Sequence, residues 1–362
     1  LTTEHALQPF SRRYFEEGGL LTYAREWRSA HNVDSEGPQD ALPPYELEPD
    51  FRLKLSELGA FLKQPAKQFF RRRLGVIFNA EKVVGEDEEP FALDALDRYF
   101  LEDVLLDDAG KAEALDEVRQ NLDARAERLT REGMLPIGLM GHHWKQQLVE
   151  GLVPVRSAWL ALGARFPDAA PKLALSLDLN GVLLEDWIDR LRTDGRQTAW
   201  LMQVSSKVLD KKGAVRGEKL IDAWLRQLAA GAAEGPTEGI TGYLVARDAL
   251  VTMAPIEREE ALSVLGYIAG LWQRNLDAPL PVACRTALAQ LAGRDARTVY
   301  EGDGQDVPGE VEREPCLARL WPQFGQLAAS GDWPELAEAL YGGLAHWMAE
   351  QIEVTPHAGD AQ

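Results

Sequence analysis

The chain has 362 residues, 45% of them hydrophobic and 27% charged, with a formal net charge of −19. That length accommodates one large domain or two smaller ones with a full core. A balance this acidic excludes a chain that holds DNA over its whole surface unaided, because neutralising phosphates and releasing counterions supply most of such affinity. One basic face stays compatible with it, and protein partners would supply much of any grip. No apolar run approaches the roughly 20 residues needed to cross a bilayer, and no signal peptide is visible. The two cysteines, Cys284 and Cys316, form neither a disulfide framework nor a metal-ligand spacing, which fits a reducing cytoplasm. The sequence opens at Leu1 rather than methionine, as expected of a piece of a longer protein.

Residues 1–50 carry few long periodic segments. Gly37-Pro38 and Pro43-Pro44 read as linker, Ala24 to Arg28 as a short helix, and the whole stretch as a connector from an upstream domain. A domain over 51–354 follows, with 355–362 as a flexible tail. Ser56 can cap a helix that places Leu58, Phe61 and Leu62 on one face. Pro65 stands at a turn or at the first position of a second helix, in which Phe69, Phe70, Leu74 and Ile77 recur at helical spacing with Lys67, Arg71, Arg72 and Arg73 between them. Gly85 to Pro90 is a solvated acidic loop. Residues 91–164 have helical period in three or four segments, broken at Gly133 and at Pro136 to Gly138.

Leu173, Leu175, Leu177 and Leu179 alternate with small or polar residues, the period of a strand. Gly181 interrupts, and Val182 to Leu191 continues extended. Asp194-Gly195 is a hairpin signal, with Thr198 to Val204 as an apolar, buried return strand. Leu220 to Ala230 reads as helix, Thr241 to Ala246 as strand, and Glu257 to Leu276 as a long amphipathic helix ending before Pro279-Leu280-Pro281. Residues 285–353 are mainly helical, broken between Gly302 and Gly309. The order of elements predicts an α/β fold: a hairpin-containing mixed sheet surrounded by helices.

The end of the return strand carries the most chemistry. A metal-dependent nuclease clusters carboxylates so that Mg²⁺ can bind the scissile phosphate and activate water, with a lysine nearby to stabilise developing charge. On a hairpin, one acid comes from one strand and an Asp-x-Lys from the next, facing one cleft because strand residues alternate. Here Glu185, Asp186 and Asp189 lie on the first arm, and Asp189 is a candidate first ligand; the alternative for Asp186 and Asp189 is a surface hairpin edge with Arg190 and Arg192 as neighbours. On the return strand Ser205-Ser206-Lys207 stands where Asp-x-Lys would stand. The lysine is present and the acid is a serine, whose neutral hydroxyl is a poor Mg²⁺ ligand. The pattern predicts a catalytically dead site that holds no metal or cofactor.

Three stretches carry a family resemblance. His5-Ala-Leu-Gln-Pro-Phe-Ser-Arg-Arg-Tyr-Phe15 is followed by Tyr23-Ala-Arg-Glu-Trp27. Leu62-Lys-Gln-Pro-Ala-Lys-Gln-Phe-Phe70 runs on to Leu74, with Glu89-Pro-Phe-Ala-Leu-Asp-Ala-Leu-Asp-Arg-Tyr99 behind it. Gly266-Tyr267, Leu271 and Ala278-Pro-Leu-Pro281 form the third. Together they resemble the C-terminal domain of RecC, the gamma subunit of exonuclease V, over roughly residues 5–350, the second stretch being the most specific. The resemblance implies a degenerate restriction-endonuclease-like core of the RecB nuclease type, without its active site. It implies a heterotrimer with RecB-like and RecD-like subunits that unwinds and degrades DNA from double-strand ends, in which this domain helps split the duplex and contacts its partners. Chi-reading residues would belong to upstream domains. Active relatives carry Gln-x-x-x-Tyr on the helix after Asp-x-Lys; the matching positions here are Leu220 and Trp224, a second departure pointing the same way as Ser205.

Two basic groups could touch DNA within the assembled complex. Lys67, Arg71, Arg72 and Arg73, beside Phe69 and Phe70, either line a DNA channel without reading bases or form a solvated helix face. Lys207, Lys211, Lys212, Arg216 and Lys219 form either a loop kept from an ancestral DNA cleft or a plain charged loop. His142 and His143 point about 100° apart on a helix and do not converge on one ion. No phosphate loop of the Gly-x-x-x-x-Gly-Lys kind is present, so this chain is not a motor. The acidic excess and the ten tryptophans suit either docking to basic partner subunits or solubility. Three functions stay in play: a non-catalytic scaffold that guides DNA, a weak Mg²⁺-dependent nuclease using Asp189, Lys207 and Glu185 or Glu218, and a pure protein-docking module.

Overall fold

The computed structural model of the protein describes residues 5–6, 8, 11–15, 42–78, 93, 95–106, 114, 117–235, 239–304, 307–330 and 333–357. The helix expected at Ala24 to Arg28, the Gly37-Pro38 linker, the acidic loop at 85–90 and the first resembling stretch from residue 16 onward lie outside the described residues. The chain divides into two compact units, Leu1–Pro44 and Tyr45–Gln362. In the first, Arg12–Tyr14 forms a single 3₁₀ turn, and the Tyr14 hydroxyl donates to the Ala6 carbonyl at 3.0 Å.

The second unit begins with α1 (Leu55–Lys63) and α2 (Pro65–Gln68), the latter opening on Pro65. Ser56 does not cap α1: Lys54 holds that position and Ser56 is the second helical residue. The free amide of Leu55 is instead met by Asp186 Oδ2 at 3.0 Å, and Glu57 Oε2 accepts from the Lys54 amide at 3.3 Å. A carboxylate at a helix start satisfies an orphan donor and the positive end of the helix dipole. After α2 the backbone widens into one π-helical turn, Phe69–Arg73, so Leu74 and Ile77 leave the helical face expected of them and are exposed.

The helical layer follows as α3 (Ala95–Leu106), α4 (Val118–Arg131) and α5 (Leu139–Arg165). The breaks at Gly133 and Gly138 are real, with φ of 78° and 75°. The strands are β1 (Asp168–Ala169), β2 (Leu173–Leu179), β3 (Val182–Ile188), β4 (Leu191–Thr193) and β5 (Thr198–Gln203). Then come α6 (Gly217–Ala232), β6 (Ile240–Val245), β7 (Ala249–Met253) and α7 (Arg258–Asp277). Short helices α8 (Cys284–Leu291), α9 (Ala296–Glu301), α10 (Glu310–Arg313), α11 (Pro315–Leu320) and α12 (Phe324–Ala329) lead to α13 (Trp333–Glu350) and β8 (Ile352–Pro356).

Two sheets form where the sequence predicts one. β2 and β3 form a separate two-stranded sheet across a two-residue turn at Asn180-Gly181 with φ of 57° and 89°, and Leu53 adds one parallel bridge to Leu184 of β3. Asn-Gly tolerates two successive positive φ values, which makes it the favoured tight hairpin turn. The sequence reading took this turn for an interruption. The larger sheet has six strands in the order β1-β4-β5-β6-β7-β8, antiparallel except for the parallel pair β5–β6, which α6 bridges. β8 takes in Thr355 and Pro356, paired with Leu250 and Ala249. These residues are sheet rather than the start of a flexible tail, because β7 would otherwise present an open edge of unpaired backbone groups.

Side-chain alternation splits the core between the two faces of the large sheet. Ala199, Leu201, Tyr243 and Val245 pack with Leu148, Leu152 and Val155 of α5. Trp200, Leu244, Val251 and Met253 pack on the other face with α6, α7 and α13, around Trp224, Trp272 and Trp347. Five of the nine described tryptophans are buried and only Trp187 is exposed, so they build the core rather than a docking shell. Buried Gln227 of α6 ties this face together. Its Oε1 accepts from Trp200 Nε1 at 2.7 Å, and its Nε2 donates to the Ile240 and Ala254 carbonyls at 2.8 and 2.7 Å. Gly242 leaves the room for that pair: a Cβ there would overlap the Trp200 indole and lie 2.7 Å from Gln227 Oε1.

Candidate functional site

The residues that the nuclease pattern singles out stand in three different surroundings. β3 belongs to the small ribbon and ends at Ile188; β4 begins at Leu191 after Arg190, whose φ is 54°. Asp189 sits in that break. It is 57% exposed at its side chain and forms an ion pair with Arg226 of α6. The Arg226 guanidinium, donating to the carboxylate, holds Asp189 below the usual aspartate range against the opposing effect of partial burial. The charge of Arg190, a neighbour expected of a hairpin edge, acts on it in the same direction. Glu185 pairs with Arg52 at 3.6 Å, and Asp186 is occupied at the start of α1.

Beyond β5 the chain stays locked to its neighbours. The Val204 amide donates to the Val245 carbonyl at 2.9 Å and the Arg247 amide to the Ser206 carbonyl at 3.2 Å. Buried Asp248, in the β6–β7 turn, accepts from the amides of Val208 and Leu209 at 2.9 and 3.0 Å. Sequence reasoning missed Asp248; an aspartate before an apolar strand gave no sign that it would brace a segment 40 residues upstream. In this frame Ser205 is buried, and its hydroxyl has no hydrogen-bond partner among the described residues. Lys207 is exposed. Leu220 and Trp224 are both core residues of α6.

A cleft of about 660 Å³ lies beside this segment, walled by the junction of α1 and α2, the start of α6, the start of α8, and α10–α11. Met202, Val204 and Ser206 face it, as alternate residues of one strand should; Asp189, Ser205 and Lys207 are not among its walls. Its charges are mixed. Lys63 pairs with Asp222, and Arg216 with Glu218 at 2.9 Å. Glu310 is buried, accepting from the Arg285 and Thr286 amides at 3.0 and 2.8 Å and from the Thr286 hydroxyl at 2.8 Å. Burial pushes its carboxyl above the usual glutamate range despite those bonds. Partial removal from water, aided by the Arg216 charge, lowers Lys219. Among the described residues no group of three or more His, Cys, Asp or Glu is placed to hold a metal ion.

The basic groups are unequally free. Arg72 pairs with Glu57 and lies 5.0 Å from the Phe51 ring centroid, and Arg73 lies 5.4 Å from that of Tyr45. Lys67 and Arg71 are exposed. Lys211 and Lys212 stand exposed on a tight loop closed by the Leu209–Val215 bridge, with Asp210 Oδ1 accepting from the Lys212 and Ala214 amides at 2.8 and 2.9 Å. His142 and His143 are exposed on α5; His143 Nε2 lies 3.0 Å from Gln147 Nε2. At the head of α5, Ile137 and Leu139 are 80% and 88% exposed and Met140 is exposed beside them. The sequence reading marked this stretch only as a helix break.

The family model for the RecC C-terminal domain matches residues 51–295. The chain belongs to the RecC C-terminal domain family. It is 26% identical over 302 residues to the RecBCD enzyme subunit RecC of Escherichia coli, covering 83% of this chain and 24% of that protein. It is 24% identical over 286 residues to the RecBCD enzyme subunit RecC of Haemophilus influenzae, covering 76% of this chain and 24% of that protein. The chain thus spans about a quarter of the length of these curated relatives. Among the described residues no helix is long and apolar enough to cross a membrane.

Proposed function

We propose that this RecC-type domain is a non-catalytic part of a cytoplasmic RecBCD-like helicase–nuclease that acts in DNA break repair, holding RecB-like and RecD-like subunits and guiding DNA between them. The observation that carries the reading is the state of the would-be catalytic centre. Ser205, where the sequence pattern expects the acid, is buried, Lys207 is exposed, and Asp189 pairs with Arg226. A metal nuclease needs its carboxylates on one open cleft, and Asp189, Ser205 and Lys207 are all absent from the walls of the cleft beside β5. The β4–β5 hairpin, the α6 crossover and the parallel strand β6 support a degenerate restriction-endonuclease-like core, with residues 1–50 as its connector.

Two surfaces serve the assembly in this reading. The exposed Ile137, Leu139 and Met140 form an apolar tip suited to a partner's pocket, since apolar side chains grouped at one exposed point mark contact sites. Lys67, Arg71, Lys211 and Lys212 provide sequence-independent phosphate contacts, with Arg72 and Arg73 held closer to the fold. The test is co-purification. The protein should form a stable complex with RecB-like and RecD-like subunits from the same source, and the complex should retain nuclease activity when Asp189 and Lys207 are both replaced by alanine. Failure to assemble, or loss of cleavage in an assembled double variant, would contradict the reading.

A further inference from the structure

The described strands leave one long edge uncovered. In the β2–β3 ribbon, Leu53 reaches the outer side of β3: its amide donates to the Leu183 carbonyl, and its carbonyl accepts from the Glu185 amide, both at 3.0 Å. Leu183 and Glu185 therefore turn their backbone groups away from β2. Because successive residues of a strand bond to opposite sides, Val182, Leu184, Asp186 and Ile188 bond to β2, through Leu179, Leu177, Leu175 and Leu173. The same alternation turns the N–H and C=O of Ala174, Ser176 and Asp178 outward on the far side of the ribbon. All three residues are exposed, and none of those backbone groups has a hydrogen-bond partner among the described residues.

β2 lacks the devices that blunt such an edge, which are proline, lysine, a bulge or a covering element. Its seven residues pair one-to-one with β3 and include no proline, glycine or lysine. Lys172, just before them, has its ammonium 4.0 Å from the centroid of the Trp187 ring. The other outer strands are shorter or blunted: β1 is two residues long, and β8 carries Glu353 and ends at Pro356, which has no N–H. The inner face of β2 is apolar, with Leu175 and Leu179 buried and Leu173 and Leu177 half-buried. Outward N–H and C=O groups that repeat about every 7 Å match one ligand chemistry, an extended polypeptide backbone.

We propose that the β2 edge receives an extended segment of a partner polypeptide as a further strand of this ribbon, with apolar side chains beside Leu173 and Leu177 and a cation near Asp178. The net charge of −19 favours a basic segment over a second copy of this chain, which that charge repels. Water already solvates the exposed groups, so the gain per bond is modest and micromolar binding is expected. This edge is separate from the apolar tip and the basic groups named above, so its occupation does not depend on RecB-like or RecD-like subunits being the partner.

Fluorescence anisotropy on the intact protein tests this with a labelled eight-residue peptide of alternating valine and lysine. A second peptide of the same sequence, N-methylated at two adjacent central residues, keeps the side chains and charges and loses an N–H on each of its edges. The first peptide should bind one-to-one, and the methylated one about tenfold more weakly or worse. Ser176→Pro removes an outward N–H that β3 does not use; proline is tolerated on an edge strand, so the variant should stay folded and lose binding to the same extent. Should it unfold, hydrogen exchange on the unaltered protein decides: the peptide should slow exchange of the Ala174, Ser176 and Asp178 amides. No binding at about 1 mM, equal binding of the methylated peptide, binding retained by folded Ser176→Pro, or unslowed exchange in β2 overturns the proposal. A dimer in sedimentation of the protein alone, lost in Ser176→Pro, gives the edge to a second copy and overturns the partner segment.

Discussion

At the scale of single residues, the account turns on Ser205 and Asp189. Ser205 lies buried with an unanswered hydroxyl, so restoring an aspartate would place a charge where no partner waits. Ser205→Asp is expected to cost about 3–5 kcal/mol, the usual penalty for an uncompensated buried charge, and to bring no metal-dependent cleavage. Urea unfolding beside a nuclease assay measures both, and a stable, cleaving variant would show that the site is one substitution from activity. Asp189 gives a pH test. Arg226 lowers its folded pKa below the ordinary value of 3.8. The unfolded state therefore binds more protons between the two values. The stabilisation is fully present above the ordinary aspartate range and is lost as pH falls through the lowered value. Because the side chain is 57% exposed, solvent screening limits the contribution to about 1 kcal/mol or less. Asp189→Asn should lower stability slightly at neutral pH and flatten its decline in acid; an unchanged acid limb in unfolding curves would deny the pairing.

At the scale of elements, Trp200, Gln227 and Gly242 join β5, α6 and β6 into one unit. Gly242→Ala would drive a methyl into the indole and is expected to destabilise by about 1–3 kcal/mol, as overpacking does; differential unfolding would detect it. Elements that own their periodicity were legible. The amphipathic stripe of α7, the apolar run of β5 and the small-residue helix α6 follow directly from side-chain spacing. Where a neighbour decides, the sequence was silent. β7 and β8 are short, and β8 earns its place only by covering the edge of β7. The capping of α1 by Asp186 joins positions 131 residues apart, so local reading assigned it to Ser56. Asn180-Gly181 is legible as a turn, but reads in the sequence only as an interruption between two extended stretches. For the proposed site, the letters show Ser205 where the pattern expects an acid. The cleft was not legible there, since its walls come from helices that only folding brings together.

At the scale of the whole molecule, an acidic protein carries basic residues in small groups and an apolar tip at the head of α5. Replacing Ile137 and Leu139 together by glutamate should leave stability within about 0.5 kcal/mol, as for exposed positions, and should abolish co-purification with the proposed partner subunits. Retained assembly would assign the tip no docking role. The central claim is that a nuclease-shaped domain works here without cutting. It is tested most directly by incubating the purified protein with end-labelled single- and double-stranded DNA in Mg²⁺ and in Mn²⁺, beside Asp189→Ala. The account predicts no cleavage by either protein in either metal. Cleavage that Asp189→Ala abolishes would contradict it and would make Asp189 a metal ligand rather than the partner of Arg226.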